Sequence, residues 1–388
     1  MAKRLTQALG VDIGTQSMKA AAVRMGAVPT VVGLAKAPTP TDAIDHTGIY
    51  DPVALGGALH GMLSQAGMTG IKDVIFCIQG QSSVLVRNLE VPKMNEKEMD
   101  EHMKWEVQRN IPFAESTVLS DFRPIENAAL TGSDNVEVVM AVSPQSAIDS
   151  IIELLKAAHL RPAAIDVEPL AIGRILKICH GQDLGARKTC VVNMGDSMTS
   201  INMYRDSVLA FPRMIPTGGK GLTSAIATQM SLTTEEAEAR KRAEASVPSG
   251  GGGQETQSFA AYNPFDTNTA AAEGEGPAPV EVTAPAPSNN MFGAMEPQLV
   301  DFVAEIRRSI DYYRSRGGDV ESIGVTGGGS QLKGLPAYIE GSLGIPVQVL
   351  NPFAGLEVGV QPGAETYLQQ DASEFSVAVG MGLHIAFD

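Results

Sequence analysis

The sequence predicts an α/β protein built from two similar lobes, because one local pattern occurs twice along the chain. An apolar strand, a short polar turn containing glycine and a second apolar strand occupy residues 9–23, and the same order returns at residues 190–203. A third segment, residues 323–332, runs from a strand into three consecutive glycines and then into a helix. Repetition of such a turn in each half of a chain favours two related lobes that face one ligand.

Size and composition set the broad class. The chain has 388 residues, which is too long for one ordinary core and indicates two domains, expected at residues 1–185 and 186–388. A hydrophobic fraction of 44% and a charged fraction of 19% are typical of a soluble globular protein. The net charge of −15 argues against a nucleic-acid partner, since phosphate backbones bind basic surfaces.

Targeting signals and metal-ligand spacings are not evident. No apolar run approaches the length of a membrane span, and the N-terminus lacks a signal-type apolar core. We therefore expect a cytoplasmic protein without direct membrane insertion. The three cysteines and six histidines are scattered, so their spacing indicates neither a zinc site nor a hydrolase triad.

The first polar turn carries the residues that suggest a ligand. A tight turn with glycine can aim backbone N–H groups at an anion. Asp12 ends the first strand, where a carboxylate would repel phosphate unless a divalent cation lay beside it, so we expect Mg²⁺ bound to Asp12 through water. Lys19 adds positive charge. Taken alone, the stretch is equally compatible with an ordinary hairpin that has a polar tip.

The remainder of the first lobe predicts alternating strands and helices, with residues 71–160 forming an inserted subdomain. Its longest helix, residues 95–110, is charged and amphipathic, and Asn95 is suited to cap it. The charged face is either solvated, which we favour, or a binding surface. The other predicted elements here are strands at 31–35, 74–78, 83–89 and 136–142, and helices at 51–68 and 145–159.

At the end of the first lobe, residues 163–178 predict a strand feeding a helix. In the second lobe, the repeated hairpin is followed by a strand at 207–212. Gly218 and Gly219 precede a helix at 222–230, where backbone N–H groups could meet phosphate. Residues 243–297 contain no lysine or arginine and are mostly Ala, Gly, Pro, Ser and Thr, which predicts a disordered insert. A docking segment around Phe259, Tyr262 and Phe265 is the less favoured alternative. Later helices are predicted after residue 297, up to 343 and at 376–385, with a strand at 345–350.

The two hairpins and the triple glycine together resemble the phosphate-one, phosphate-two and adenosine signatures of the actin, Hsp70 and sugar-kinase superfamily. The match is closer to one family, the type IV pilus assembly PilM proteins, and extends over the chain apart from the insert. The segment from Trp105 to Phe113 is the most specific, since nucleotide binding does not require it. The other matching segments are residues 11–14, 88–94, 166–169, and 344–347 followed by 351–353.

The resemblance implies an actin-like two-lobed ATPase fold, a ribonuclease H-like duplication, with an FtsA-like inserted subdomain in the first lobe. It also implies ATP and Mg²⁺ as ligands. Beside Asp12 for the metal, the implied contacts to phosphates are Gly14, Thr15, Gln16, Ser17 and Lys19 from the first lobe and Gly195, Asp196, Ser197 and Thr199 from the second. Those implied near adenosine are Gly327, Gly328, Gly329, Glu238 and Lys241.

Two positions bear on hydrolysis. Glu168 corresponds to a carboxylate that orients water in Hsp70-like proteins, so it is the candidate catalytic residue. Asn193 stands where the superfamily usually has aspartate, and an amide brings no charge to a metal-bound water. The resemblance therefore implies ATP binding with weak or regulatory ATPase activity at most.

The resemblance also implies partners. PilM-like proteins hold the N-terminal cytoplasmic peptide of the inner-membrane protein PilN, so we expect peripheral membrane association through this and other pilus assembly components, with self-association possible. The docking groove would lie on or beside the inserted subdomain. The alternatives are an FtsA-like division scaffold, a type II secretion scaffold or a superfamily small-molecule kinase. No spare aspartate motif for deprotonating a kinase substrate is evident, and no basic amphipathic C-terminal helix of the FtsA kind is present.

Overall fold

The computed structural model describes residues 5–110, 113, 117–125, 133–248 and 291–387. Within these ranges fifteen strands form three sheets, and ten α-helices pack on them. The strands are β1 (Gln7–Ile13), β2 (Ser17–Arg24), β3 (Thr30–Pro38), β4 (Asp73–Ile78), β5 (Leu85–Pro92), β6 (Val118–Ile125), β7 (Asn135–Pro144), β8 (Arg161–Val167), β9 (Lys188–Met194), β10 (Thr199–Arg205), β11 (Val208–Phe211), β12 (Met214–Ile215), β13 (Ser322–Thr326), β14 (Val347–Val349) and β15 (Glu357–Val358). The helices are α1 (Pro52–Gln65), α2 (Glu96–Asn110), α3 (Gln145–Ala157), α4 (Glu168–Cys179), α5 (Gly219–Met230), α6 (Thr234–Glu244), α7 (Met291–Ser315), α8 (Leu335–Leu343), α9 (Glu365–Gln370) and α10 (Ser376–Gly382).

The first sheet has the order β15-β3-β2-β1-β4-β8. β1, β2 and β3 form an antiparallel meander, whereas β4 and β8 run parallel to β1. Both faces of this sheet are covered, which explains why β1 and β2 are apolar along most of their length rather than alternating. α1 and α3 pack on one face, and α4 and α10 contribute to the cores on the other.

Glycines allow α10 to lie directly against β1. A Cβ added at Gly10 would lie 1.9 Å from the Ala378 carbonyl oxygen, and one added at Gly380 would lie 2.3 Å from the Ala171 carbonyl oxygen. No side chain fits at such contacts. The C-terminal helix is therefore held between the first sheet and α4.

The second sheet has the order β11-β10-β9-β13-β14, with β12 paired to β10. It repeats the arrangement of the first sheet, since the antiparallel pair β9 and β10 is extended by the parallel strand β13. One apolar core joins this sheet to α5, α7 and α8.

The third sheet, β5-β7-β6, is small and antiparallel. Met99, Met103 and Val107 of α2 pack on Val138 and Met140 of β7, so the apolar stripe of this charged helix is core. The Asn95 side chain accepts the Glu98 N–H at 3.0 Å, which is the expected cap.

The structure differs from the sequence expectations in the assignment of several segments. β4 and α3, within residues 71–160, belong to the first sheet and its core, and the edge strand β6 was not foreseen. β15 and α10, within residues 186–388, complete and cover the first sheet. An apolar period identifies a strand or helix but does not say which sheet it joins.

Both ends of the predicted insert are part of the folded structure, which differs from the expectation. α6 continues to Glu244, Ala245 and Val247 are buried, and α7 begins at Met291 because Ala294 and Met295 supply apolar contacts to the second core. The rest of residues 243–297, including the alternative docking segment, lies outside the described residues. None of the helices in the described ranges combines the length and apolarity that a membrane crossing requires.

Candidate nucleotide site between the lobes

The β1–β2 turn and the β9–β10 turn have the same backbone pattern and face each other. The Gly14 N–H donates to the Ser17 carbonyl oxygen at 3.1 Å, and the Gly195 N–H donates to the Met198 carbonyl oxygen at 2.9 Å. The Thr15 hydroxyl donates to Asp196 at 3.1 Å and lies 3.2 Å from the Ser197 hydroxyl. The repeated motif is therefore placed on opposite sides of one interlobar space.

Asp12 lies at the floor of this space. It is 6% exposed, accepts a hydrogen bond from the Gln79 amide and lies 3.6 Å from the Lys19 ammonium, its partner in the β1–β2 register. In the described part of the chain, no group of three His, Cys, Asp or Glu side chains could hold a metal by itself. A single carboxylate fits Mg²⁺ that takes its other ligands from phosphates and water.

The triple glycine approaches this space from β13. Gly327 has a φ of 82°, and a Cβ there would lie 2.4 Å from the Asn193 side-chain oxygen. A Cβ at Gly329 would lie 2.3 Å from the Met194 side chain, whereas the nearest atom to one at Gly328 is 3.7 Å away. Packing against β9 therefore requires two of the glycines, whereas a Cβ at Gly328 would make only an ordinary contact with Glu374.

α5 and α6 supply a charged cluster at the same space. The Lys241 ammonium lies 2.6 Å from the Glu238 carboxylate and donates to the Gly219 carbonyl oxygen at 3.0 Å. Burial opposes the charged form of Glu238, but hydrogen bonds from Lys241, Thr223 and Arg242 lower its pKa to about 2. Arg242 also donates to the Gln16 side chain at 2.5 Å and so links the lobes.

These elements enclose a cavity of about 810 Å³, called here the nucleotide cavity. Its size is within the ordinary range of ligand pockets. The sequence-predicted residues that line it are Asp12, Gly14, Thr15, Gln16, Ser17, Lys19, Asn193, Gly195, Asp196, Gly219, Glu238, Lys241, Gly327, Gly328 and Gly329.

Four predicted residues do not line the nucleotide cavity. Ser197 is at the tip of its turn, against Thr15, and Thr199 is buried and donates to the Thr217 carbonyl oxygen at 2.6 Å. Gly218 packs on the second turn, since a Cβ there would lie 2.4 Å from the Asp196 carbonyl oxygen. The fourth, Glu168, lines a different cavity.

The sequence did not predict several residues that line the nucleotide cavity but lie outside the glycine motifs. Gln79 follows β4 directly, a position at the carboxyl end of a parallel strand that could have been noticed. Asp371 and Glu374 come from the C-terminal region and bind Lys36 of β3 at 2.9 and 2.8 Å. The remaining ones are Leu222, Arg242, Ala245, Gln331, Leu332, Lys333, Gln370, Ser373 and Val377.

Glu168 begins α4 and is 5% exposed. Its carboxylate accepts the Ser200 hydroxyl at 2.7 Å and the Asn202 amide at 3.4 Å. Burial raises the pKa of Glu168 to about 7, with the charge of Asp12 acting in the same direction, while hydrogen bonds from Ser200 and Asn193 oppose the shift.

The second cavity, about 1090 Å³, is called here the interlobe groove. One wall is β5 of the small sheet with its approach, residues 84–90, and the other is residues 210–214 with the end of α7 and residues 316–319. Tyr312 is 45% exposed on this wall, with the Arg316 guanidinium 4.9 Å above its ring. Five basic and four acidic side chains line the groove, so it lacks the acidic excess of a chain whose net charge is −15.

The two six-stranded sheets, the repeated hairpins and the cavity between them define an actin-like protein. A solved structure of the PilM-PilN type IV pilus biogenesis complex contains a chain that matches with a TM-score of 0.77 and 28% identity over 99% of both chains. The ethanolamine utilization protein EutJ of Carboxydothermus hydrogenoformans shares the fold, with a TM-score of 0.55 and 14% identity over 98% of this chain and 91% of that chain.

A family model described as type IV pilus assembly protein PilM matches residues 10–250 and 248–386. The chain therefore belongs to the PilM family of type IV pilus assembly proteins, and the resemblance found in the sequence is confirmed. A segment of 82 residues is 37% identical to the cell division protein FtsA of Porphyromonas gingivalis, covering 21% of this chain and 16% of that protein.

Proposed function

We propose that this protein is a cytoplasmic ATP-binding scaffold of type IV pilus assembly that holds the N-terminal cytoplasmic tail of PilN. The observation that carries the nucleotide part is the pair of matching turns, at Gly14 and Gly195, that face each other across the nucleotide cavity. Membership of the PilM family and the similarity to a chain of a PilM-PilN complex support the partner.

The cavity offers groups of the chemistry that ATP requires. Lys19 and Lys241 line it with positive charge, Asp12 would hold Mg²⁺ through water, and Gly328 lines it with backbone that carries no side chain. Mg²⁺ would neutralise phosphate charge beside that carboxylate. Asn193 brings no charge and Glu168 lies outside the cavity, which supports weak or regulatory hydrolysis.

Titration with a fluorescent ATP analogue and Mg²⁺ tests the nucleotide site. Lys19→Ala should weaken binding by about 10- to 100-fold, because a hydrogen bond to a charged group contributes roughly 1.5 to 3 kcal/mol. Lys97→Ala, an exposed lysine of α2, is the matched control and should bind like the wild type. Equal affinities for the wild type and Lys19→Ala would contradict this site.

We assign the PilN tail to the interlobe groove. The groove lies beside the small sheet, its β5 wall is a sheet edge that could pair with an extended peptide, and Tyr312 presents an aromatic surface. Attachment to the inner membrane would then be indirect, through PilN.

A synthetic peptide of the cognate PilN tail, measured by fluorescence anisotropy, tests this assignment. Arg316→Glu should weaken binding about tenfold by reversing a charge on the groove wall. Arg308→Glu changes an arginine of the same helical region outside the groove and should have little effect. Equal losses of peptide affinity in both variants would show that the peptide does not bind in the interlobe groove.

A division scaffold is the second candidate, favoured by the short segment similar to FtsA. It predicts no retention of the PilN tail with or without ATP, so the same peptide separates the two. The type II secretion alternative is tested in the same assay, with peptides of the corresponding cytoplasmic tails from type II secretion proteins. Phosphorylation of a sugar or other metabolite would instead support the kinase alternative. Self-association and contacts with other pilus components are further proposals, tested by light scattering with and without ATP.

A further inference from the structure

One buried carboxylate lies between the nucleotide cavity and the interlobe groove. Glu168 lines the groove together with Ser200 and Asn202, both of which donate hydrogen bonds to it. Asn193 lines the nucleotide cavity and lies opposite Ser200 in the β9–β10 register. Gln79 lines both cavities, and Glu168 binds the strand pair that carries Asn193, so the two cavities share this boundary.

The hydrogen bonds of this cluster cross between the lobes. Glu168 begins α4, directly after β8 of the first sheet, whereas its donors Ser200 and Asn202 lie on β10 of the second sheet. Asn193 and Ser200 are opposite each other in the β9–β10 register, close to the turn that contacts Thr15. A shift of that turn relative to the first lobe would alter the bonds to Glu168.

We propose that Glu168 is a positioning residue that couples ATP binding in the nucleotide cavity to PilN-tail binding in the interlobe groove. This inference rests on the proposed function. Each cavity has walls from both lobes, so a ligand that changes lobe closure in one changes the shape of the other. Linkage makes the coupling reciprocal, so the tail should alter ATP affinity by the same factor.

Glu168→Gln is the informative substitution because it keeps the size of the side chain. Ser200 and Asn202 donate to the same oxygen of this carboxylate, and the other oxygen is a second acceptor. An amide has one acceptor oxygen and an NH₂ group that only donates. The variant therefore removes the negative charge and the second acceptor, while one oxygen remains for the donors of β10. This weakens the connection between the lobes and leaves the other walls of both cavities in place.

The experiment measures the affinity of the PilN-tail peptide with and without a non-hydrolysable ATP analogue and Mg²⁺. For the wild type we expect a change of about 5- to 150-fold, the usual range of coupling between sites. For Glu168→Gln we expect a coupling factor below about 3, whatever the absolute affinity of the variant for the peptide. The converse titration, ATP analogue with and without peptide, should give the same two factors.

Glu90→Gln is the matched control. Glu90 also lines the groove, but it accepts a hydrogen bond from Asn135 of the small sheet at 2.7 Å, and it does not line the nucleotide cavity. This variant should keep the wild-type coupling factor. If Glu168→Gln does not fold, Ser200→Ala removes the 2.7 Å hydrogen bond to Glu168 and the 3.3 Å bond that Ser200 accepts from Asn202, and it should reduce the coupling factor.

The outcomes distinguish the inference from the function beneath it. The inference is overturned if Glu168→Gln, or Ser200→Ala used in its place, keeps the coupling factor of the wild type. It is also overturned if Glu90→Gln loses as much coupling as Glu168→Gln. A wild type that binds both ligands without coupling also overturns it and leaves the proposed function intact. Failure of the wild type to bind the peptide or the ATP analogue overturns the proposed function itself.

Discussion

Asp166→Asn should destabilise the protein far more than Asp73→Asn, although each carboxylate binds an arginine. Asp166 is paired with Arg174, and these side chains are 9% and 11% exposed, with His384 Nδ1 lying 2.9 Å from the same carboxylate. Asp73 and Arg161 are 2.9 Å apart, but the arginine side chain is 73% exposed. The buried cluster also joins β8 and α4 to the C-terminal turn, so its loss should release several elements.

The expected magnitude follows from burial. Burial by itself opposes ionisation of Asp166, but bonds from His384, Arg174 and the Val167 N–H lower its pKa from 3.8 to about 2. Since one pKa unit corresponds to about 1.4 kcal/mol, the charged form contributes roughly 2 kcal/mol. Leaving a buried arginine unpaired raises the expected loss to about 3 to 5 kcal/mol, against less than about 1 kcal/mol for the surface pair.

The assay is urea unfolding followed by far-ultraviolet circular dichroism at pH 7 for the wild type, Asp166→Asn and Asp73→Asn. The pKa of Asp166 is lowered in the folded state, so its contribution is present above about pH 4 and is lost as the pH falls toward 2. The difference between the wild type and Asp166→Asn should therefore shrink at pH 3. Losses of equal size in the two variants at pH 7, or a difference that grows on acidification, would refute the reasoning.

Three further substitutions have expected outcomes in thermal and chemical unfolding. Gly327→Ala should lower the free energy of unfolding by about 1 to 2 kcal/mol or more, because its φ is 82° and a Cβ would lie 2.4 Å from a β9 side-chain oxygen. Gly328→Ala should change it by less than about 0.5 kcal/mol, and similar losses for both variants would contradict this. Gly10→Ala should lower the melting temperature through its 1.9 Å contact with α10, whereas Gly57→Ala, with open space around it on α1, should stabilise its helix by about 0.5 to 1 kcal/mol. Between pH 4 and pH 8 the wild type should lose about 3 kcal/mol of unfolding free energy relative to Glu168→Gln. Burial raises the pKa of the wild-type carboxyl from 4.5 to about 7, so its contribution to stability is lost as the pH rises through that range. Parallel pH profiles for the two proteins would count against this.

Local sequence was sufficient to predict most of the secondary structure that carries the nucleotide cavity. The β1–β2 and β9–β10 hairpins and the strand before Gly327 lie where the apolar runs and glycines predicted them. α2 has the predicted Asn95 cap. These features depend on neighbours within a few residues, so one-dimensional pattern is enough to detect them.

Interactions between distant segments could not be predicted in the same way. Gln79 and Glu374 line the nucleotide cavity without a local motif, and the placement of Glu168 in the other cavity depends on how α4 meets β10. The resemblance to a superfamily assigned a role to Glu168 only from its position in the sequence. Only the packed structure shows which cavity a side chain enters.

By itself, the sequence determined the duplicated turns, the acidic composition, the glycine positions and membership of the PilM family, because all of these reside in residue identity and order. The tertiary structure decided that the C-terminal helix returns to the first sheet, that Thr15 meets Asp196, and that one carboxylate lies between two cavities. Those facts depend on contacts between residues far apart in the chain, and periodicity does not encode which distant surfaces will bury one another.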